Sequence, residues 1–94
     1  MGQGIVEATG YLEDHEMLQV ADRTRKVIAK LLKVSPEKVT DEAHFVRDLG
    51  MESIRAVELL AALEEEFDVE VDEHRAQSND TVGKAIAYME ELVG

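Results

Sequence analysis

The chain has 94 residues and a net charge of −11, from 21 acidic and 10 basic side chains. This length corresponds to one small domain. The negative charge argues against a nucleic-acid partner, since phosphates would be repelled, and favours partner proteins with basic surfaces. Because the sequence contains no cysteine, disulfides, thiolate nucleophiles and cysteine-bound metal ions are excluded.

The composition also predicts the fold class. Helix-forming residues dominate and the β-branched alternation typical of strands is scarce, so an all-α fold is expected. No apolar run is long enough to span a membrane and no signal-peptide pattern opens the chain, which favours a cytoplasmic protein. Residues 1–13 are predicted to form a mobile extension and residues 14–94 the folded domain, with Asp14 as a helix N-cap.

The first predicted helix runs from His15 to about Lys33 and is followed by a long connection to Glu52. The helix has a predicted buried face of eight residues: Met17, Val20, Ala21, Thr24, Val27, Ile28, Leu31 and Leu32. In the connection, Ser35 and Pro36 predict one short helical turn. Five apolar residues are expected to hold the connection against the core: Val34, Val39, Phe45, Val46 and Leu49.

The stretch from Asp48 to Phe67 predicts a tight turn followed by an amphipathic helix. Gly50 suits the turn because glycine adopts positive φ without a Cβ clash. The buried face of this second helix is predicted to contain Val57, Leu59, Leu60, Leu63 and Phe67. Glutamates occupy much of the opposite face.

Two further helices complete the predicted fold. A short third helix is expected from Glu73 to Gln77, and a final helix from an N-cap at Asp80 to about Leu92. The final helix has a predicted buried face of Val82, Ala85, Ile86, Met89 and Val93. The acidic segment from Asp68 lacks the Gly and Glu that a calcium loop requires, and the histidines lack metal-ligand spacing, so no metal is expected. The elements predict a four-helix bundle, three helices longer and one short, with a long first connection.

Ser53, at the start of the second helix, has two interpretations. As an N-cap, its hydroxyl would accept a hydrogen bond from a free backbone N–H, although Ala56 stands where a capping box needs Glu or Gln. Alternatively, Ser53 is a point of covalent attachment. A catalytic serine is not expected, because no histidine is near in sequence and the G-x-S-x-G elbow is absent.

The residues around Ser53 resemble the acyl carrier protein family, in which the modified serine lies in a G-x-D-S-L motif. Here the motif is Gly50-Met51-Glu52-Ser53-Ile54. The preceding F-V-R-D-L-G and the following V-E-L-L-A-A-L-E-E-E-F-D-V-E-V are also similar to the surroundings of that serine. The resemblance extends from about Met17 to Leu92 and favours covalent attachment over the capping interpretation.

The resemblance implies a function. Ser53 would carry a 4′-phosphopantetheine arm, transferred from coenzyme A by a separate transferase, whose thiol holds acyl groups as thioesters. The protein would then be a monomeric carrier and not an enzyme, presenting its cargo to synthases, transferases or ligases with basic docking surfaces. The expected docking residues are Asp48, Glu52, Ile54, Arg55, Glu58, Glu64 and Glu65.

Three hypotheses for function remain open at this point. The first is an acyl carrier for fatty-acid, polyketide or specialised lipid synthesis, which the acidic second helix favours. The second is an aminoacyl or peptidyl carrier that serves an adenylating ligase, and the third is an unmodified helical interaction domain.

Arg55 stands where housekeeping carriers commonly have an acidic residue. It is expected either to discriminate against housekeeping partners or simply to pair with Glu58 or Glu52 within the helix.

Overall fold

The computed structural model describes residues 19–94, so the predicted extension, the Asp14 cap and Met17 lie outside the described residues. Within this range the first helix, α1, comprises residues 19–32. Three further helices follow: α2 at Ser53–Phe67, α3 at Glu73–Ala76 and α4 at Val82–Val93. The prediction of three longer helices, one short helix and a long first connection is confirmed.

The end of α1 is set by a left-handed residue. Lys33 has φ of 58°, and the N–H of Val34 donates to the carbonyl of Ala29 at 3.1 Å, which closes the last turn. Val20, Thr24 and Ile28 are buried as predicted. Ala29 is also buried, although the sequence analysis did not assign it to the core.

The connection between α1 and α2 lies mostly against the core. A 3-10 turn at Pro36–Lys38 begins after Ser35, as predicted, but the Ser35 side chain accepts no capping hydrogen bond from the turn. Phe45 and Leu49 are buried. The prediction that Val46 packs inward is wrong, because the chain turns at this point like a helix, as the bond from the Asp48 N–H to the His44 carbonyl indicates. Residues four apart therefore face the core and Val46 faces out.

The core is formed by one face each of α1, α2 and α4, together with the buried part of the connection. From α2, Leu59 and Leu63 are buried, whereas Phe67 is half-buried. Val57 was predicted to be buried but is 59% exposed. At about 100° per residue, Val57 lies about 120° from Leu63 around the helix, outside the face that meets the core.

Helix α4 differs from the prediction at both ends. Its N-cap is Thr81 and not Asp80, since the Thr81 hydroxyl accepts from the Lys84 N–H at 3.3 Å. Val93 is exposed because it is the last residue of the helix. Tyr88 is buried and was missed.

Helices α1 and α2 run antiparallel. The guanidinium of Arg23, near the start of α1, bonds the Glu66 carboxylate at 2.8 Å and lies 4.6 Å from the centre of the Phe67 ring at the end of α2. Because these contacts join opposite ends of the two helices, α2 begins at the end of the bundle where α1 finishes.

Candidate functional site

Ser53 is the first residue of α2 and is exposed. The preceding turn contains Gly50 at φ of 68°, the left-handed conformation expected there. Glu52, with extended backbone, is the N-cap of the helix. The interpretation of Ser53 as the N-cap is therefore wrong, since Ser53 already lies inside the helix.

Three polar groups at Ser53 and Ile54 have no hydrogen-bond partner among the described residues, so they are available to a ligand. Within residues 19–94, no group hydrogen-bonds the Ser53 hydroxyl, and the backbone N–H groups of Ser53 and Ile54 have no acceptor. By contrast, the N–H of Arg55 donates to the Glu52 carbonyl at 2.9 Å. These free donors stand at the positive end of a helix of 15 residues, where a phosphate group is favoured.

A phosphopantetheine arm fits these residues. Ser53 is exposed, and a phosphodiester formed on its oxygen would lie beside N–H donors that have no acceptor in the described part of the chain. When bound, the arm supplies a thiol for thioester chemistry, which this cysteine-free chain cannot supply itself.

A cavity of about 220 Å³ opens between α2, α3, α4 and the turn before α2. It comes within one helical turn of Ser53, because Met51 and Ala56 are part of its wall. Most of the wall is apolar, with contributions from Phe45, Met51, Ala56, Leu59, Leu60, Leu63, Val71, Ala85, Tyr88 and Met89. Such a space suits an alkyl chain better than a charged group.

The residues predicted for docking fall into two groups. Ile54, Glu58 and Glu65 are exposed and share one face of α2, since they are four and seven residues apart. The side chain of Ile54 is 66% exposed, and the unexpectedly exposed Val57 lies three residues further along the same helix. Glu52 is exposed at the start of this helix.

The other predicted docking residues also make bonds within the fold. The Asp48 carboxylate accepts from the His44 N–H at 2.7 Å, and the half-buried Glu64 accepts from the Val71 N–H at 2.9 Å. Arg55 pairs with Glu58 at 2.7 Å, so the intrahelical alternative suggested for it does form. Both side chains of that pair remain partly exposed.

Sequence reasoning missed two parts of this site. Val57 was assigned to the core, although its position three residues after Ile54 placed it on the exposed face. The cavity wall also includes His44 and Asn79, neither of which was assigned a role from the sequence.

Comparison with known proteins decides the family. Residues 22–89 match the family described as "Phosphopantetheine attachment site". Over 78 residues the chain is 44% identical to an acyl carrier protein of Phenylobacterium zucineum (strain HLK1), an alignment that covers 83% of this chain and 99% of that protein. The chain belongs to the acyl carrier protein family. An acyl carrier protein of Caulobacter vibrioides (strain NA1000 / CB15N) is 43% identical over 75 residues, which cover 80% of this chain and 96% of the relative.

As a member of the acyl carrier proteins, the chain is a carrier and not an enzyme, and its cofactor is phosphopantetheine. Its family also implies interaction with synthases and transferases. Neither the unmodified interaction domain nor the aminoacyl carrier is favoured by these similarities. Among residues 19–94, no helix has both the length and the apolar character needed to cross a membrane.

Proposed function

We propose that Ser53 is the residue that carries the phosphopantetheine arm. The observation that supports this most strongly is the exposed Ser53 hydroxyl at the start of α2, beside two N–H groups that have no acceptor among residues 19–94. A serine that served only to cap the helix would use its hydroxyl for one of those groups. The arm would leave this end of the bundle with its phosphodiester close to the helix N-terminus.

The proposed docking surface is the exposed face of α2 next to Ser53. Ile54 and Val57 offer apolar contacts near Ser53, whereas Glu65 offers charge and Glu58 offers a carboxylate that it shares with Arg55. Basic surfaces on a phosphopantetheinyl transferase, and on synthases, acyltransferases or ligases, would be attracted to this face, and Glu52 extends it towards the arm. We assign Asp48 and Glu64 a smaller part, because their carboxylates already bond backbone N–H groups.

Arg55 bears on the choice of partner. Its guanidinium is paired with Glu58, so it neutralises one carboxylate of the docking surface. A partner that relies on lysine or arginine at this point would lose an attraction and meet a like charge. We propose that this carrier serves a dedicated pathway and is a poor substrate for housekeeping fatty-acid synthases.

The proposed cargo is an acyl group that enters the cavity between α2 and α4. A fatty chain is apolar and would gain from shelter between the helices, and the space of about 220 Å³ supports this proposal. Met89 in the wall can change shape as the space fills, because its side chain is flexible.

A cytoplasmic location and a domain boundary near residue 14 stay predictions.

The attachment site can be tested by intact mass. The unmodified carrier is incubated with coenzyme A and a broad-specificity transferase, and a gain of one phosphopantetheinyl group is expected. Ser53→Ala should abolish the gain, whereas Ser35→Ala, which replaces another exposed serine without a side-chain cap bond, should leave it unchanged. Labelling that persists in Ser53→Ala would overturn the assignment.

A further inference from the structure

The cavity has one polar end, and its first member is His44. The ring nitrogen Nδ1 accepts hydrogen bonds from the backbone N–H groups of Val46 at 3.2 Å and Arg47 at 3.1 Å. Because Nδ1 acts as an acceptor, the proton of the neutral ring is assigned to Nε2. The nearest charged oxygen to Nε2 is in Asp80, at 3.8 Å, which is too long for a hydrogen bond. The His44 side chain, 19% exposed, thus contributes a donor that has no hydrogen-bond partner within residues 19–94, and Asp80 lies in the same cavity wall.

Asn79 is the second member of the polar end. Its backbone N–H donates to the Ala76 carbonyl at 3.0 Å, but within residues 19–94 its side-chain amide has no hydrogen-bond partner. The residue is half-buried and belongs to the same cavity wall. The adjoining Asp80 carbonyl accepts from the Phe45 N–H at 3.0 Å, which brings this segment beside His44.

The polar end lies on the side of the cavity that is nearer to Ser53. The N–H of Met51 donates to the Phe45 carbonyl at 2.9 Å, and Met51 is only two residues before Ser53. Further along α2, the wall is apolar and contains the buried Leu63. An acyl chain that enters from the Ser53 end would therefore have its first carbons, those next to the thioester, beside the polar groups. Its tail would lie against apolar side chains.

We propose that His44 and Asn79 form a subsite that recognises an oxygen on the acyl chain close to the thioester, as in a 3-hydroxyacyl or 3-oxoacyl group. This inference rests on the proposed function of Ser53. The His44 Nε2–H can donate to either oxygen, and the Asn79 amide can accept from a hydroxyl or donate to a ketone. A saturated chain of the same length would leave the His44 Nε2–H and the Asn79 side-chain amide without partners after displacing water, which is unfavourable. The subsite thus favours oxygenated cargo over saturated cargo.

The test compares two cargoes of equal length on the same serine. A broad-specificity transferase moves the acylated phosphopantetheine arm from octanoyl- or 3-hydroxyoctanoyl-coenzyme A to Ser53 and releases adenosine 3′,5′-bisphosphate. Cleavage of each thioester by hydroxylamine is then timed. Asn79→Leu should accelerate release of the 3-hydroxyoctanoyl group by about 3- to 10-fold, the factor expected of one neutral hydrogen bond, without accelerating release of the octanoyl group. Ser78→Ala, which alters a neighbour outside the cavity wall, is the matched control and should change neither rate.

A second readout uses the unsubstituted carrier and does not depend on any variant folding. The 3-hydroxyoctanoyl group should shift the NMR signals of the His44 ring nitrogens and the Asn79 side-chain amide more than octanoyl does. Equal shifts for both cargoes, or equal acceleration of both in Asn79→Leu, would overturn the subsite while leaving Ser53 as the attachment point. Failure to load Ser53 with either cargo would overturn the proposed function and this inference together.

Discussion

Leu63 and Val57 both lie on α2 in the apolar pattern of the sequence, but truncating them should have different effects. Leu63 is 2% exposed and forms part of the cavity wall, whereas Val57 is 59% exposed. Removing the Leu63 side chain beyond Cβ deletes buried apolar contacts and enlarges a space that already exists. Leu→Ala changes at such sites cost about 2.7–5.0 kcal/mol, so about 3 kcal/mol of the free energy of unfolding is expected to be lost.

That loss would be a large part of the total for a domain this small, where about 5–15 kcal/mol is usual. The unfolding temperature should fall by roughly 12–24 °C, from the scaling for domains of about 60–100 residues. Val57→Ala should change the free energy of unfolding by no more than about 0.5 kcal/mol, because its side chain is mostly in water.

Both variants are measured without cargo, by urea and thermal unfolding followed by far-ultraviolet circular dichroism. The denaturant slope should be the same in all three proteins, so that a change of midpoint reports stability. Equal losses in the two variants, or a larger loss for Val57→Ala, would refute the orientation of α2 described above.

Three further outcomes are expected. Arg55→Asp should raise the turnover of the loaded carrier by a general ketoacyl synthase, and the gain should shrink with added salt; equal rates would remove the argument for a dedicated pathway. Bonding to Arg75 lowers the pKa of the exposed Glu91, so this pair stabilises the fold above the ordinary pKa of the carboxyl and loses its effect as pH falls through the lowered value. The difference in stability between the parent and Arg75→Gln should therefore diminish below about pH 4, and a difference independent of pH would contradict it. Loading with an octanoyl group should shift the NMR signals of Leu59 and Met89 in the cavity wall, whereas shifts confined to residues flanking the attachment serine would favour an aminoacyl cargo.

The helices could be predicted because their apolar residues recur with the period of an α-helix. Leu59, Leu63 and Met89 follow that period, and all three are buried. The start of α2 was equally accessible from sequence, since Gly50 marks the turn and the amphipathic pattern begins just after it.

Other features depend on tertiary contacts that periodicity does not specify. Val57 fits a wide apolar stripe, but only the packing of α2 against its neighbours decides where the stripe ends. Asp80 and Thr81 are adjacent and both good N-caps, so the sequence could not decide which of them begins α4. The polar end of the cavity arises because the turn at His44 meets the segment at Asn79, 35 residues later, and no local pattern predicts that contact.

Tyr88 gives this carrier an optical reporter in its cavity wall. Its hydroxyl accepts from the Asp72 N–H at 2.9 Å, its ring lies 4.7 Å from the Arg75 guanidinium carbon, and its side chain is otherwise buried. The sequence has no tryptophan, whose emission would hide that of tyrosine, and replacing its other tyrosine, Tyr11, by phenylalanine leaves Tyr88 as the single emitter. Cargo that enters the cavity changes the surroundings of this ring, so that tyrosine fluorescence can follow the filling of the carrier without any added dye.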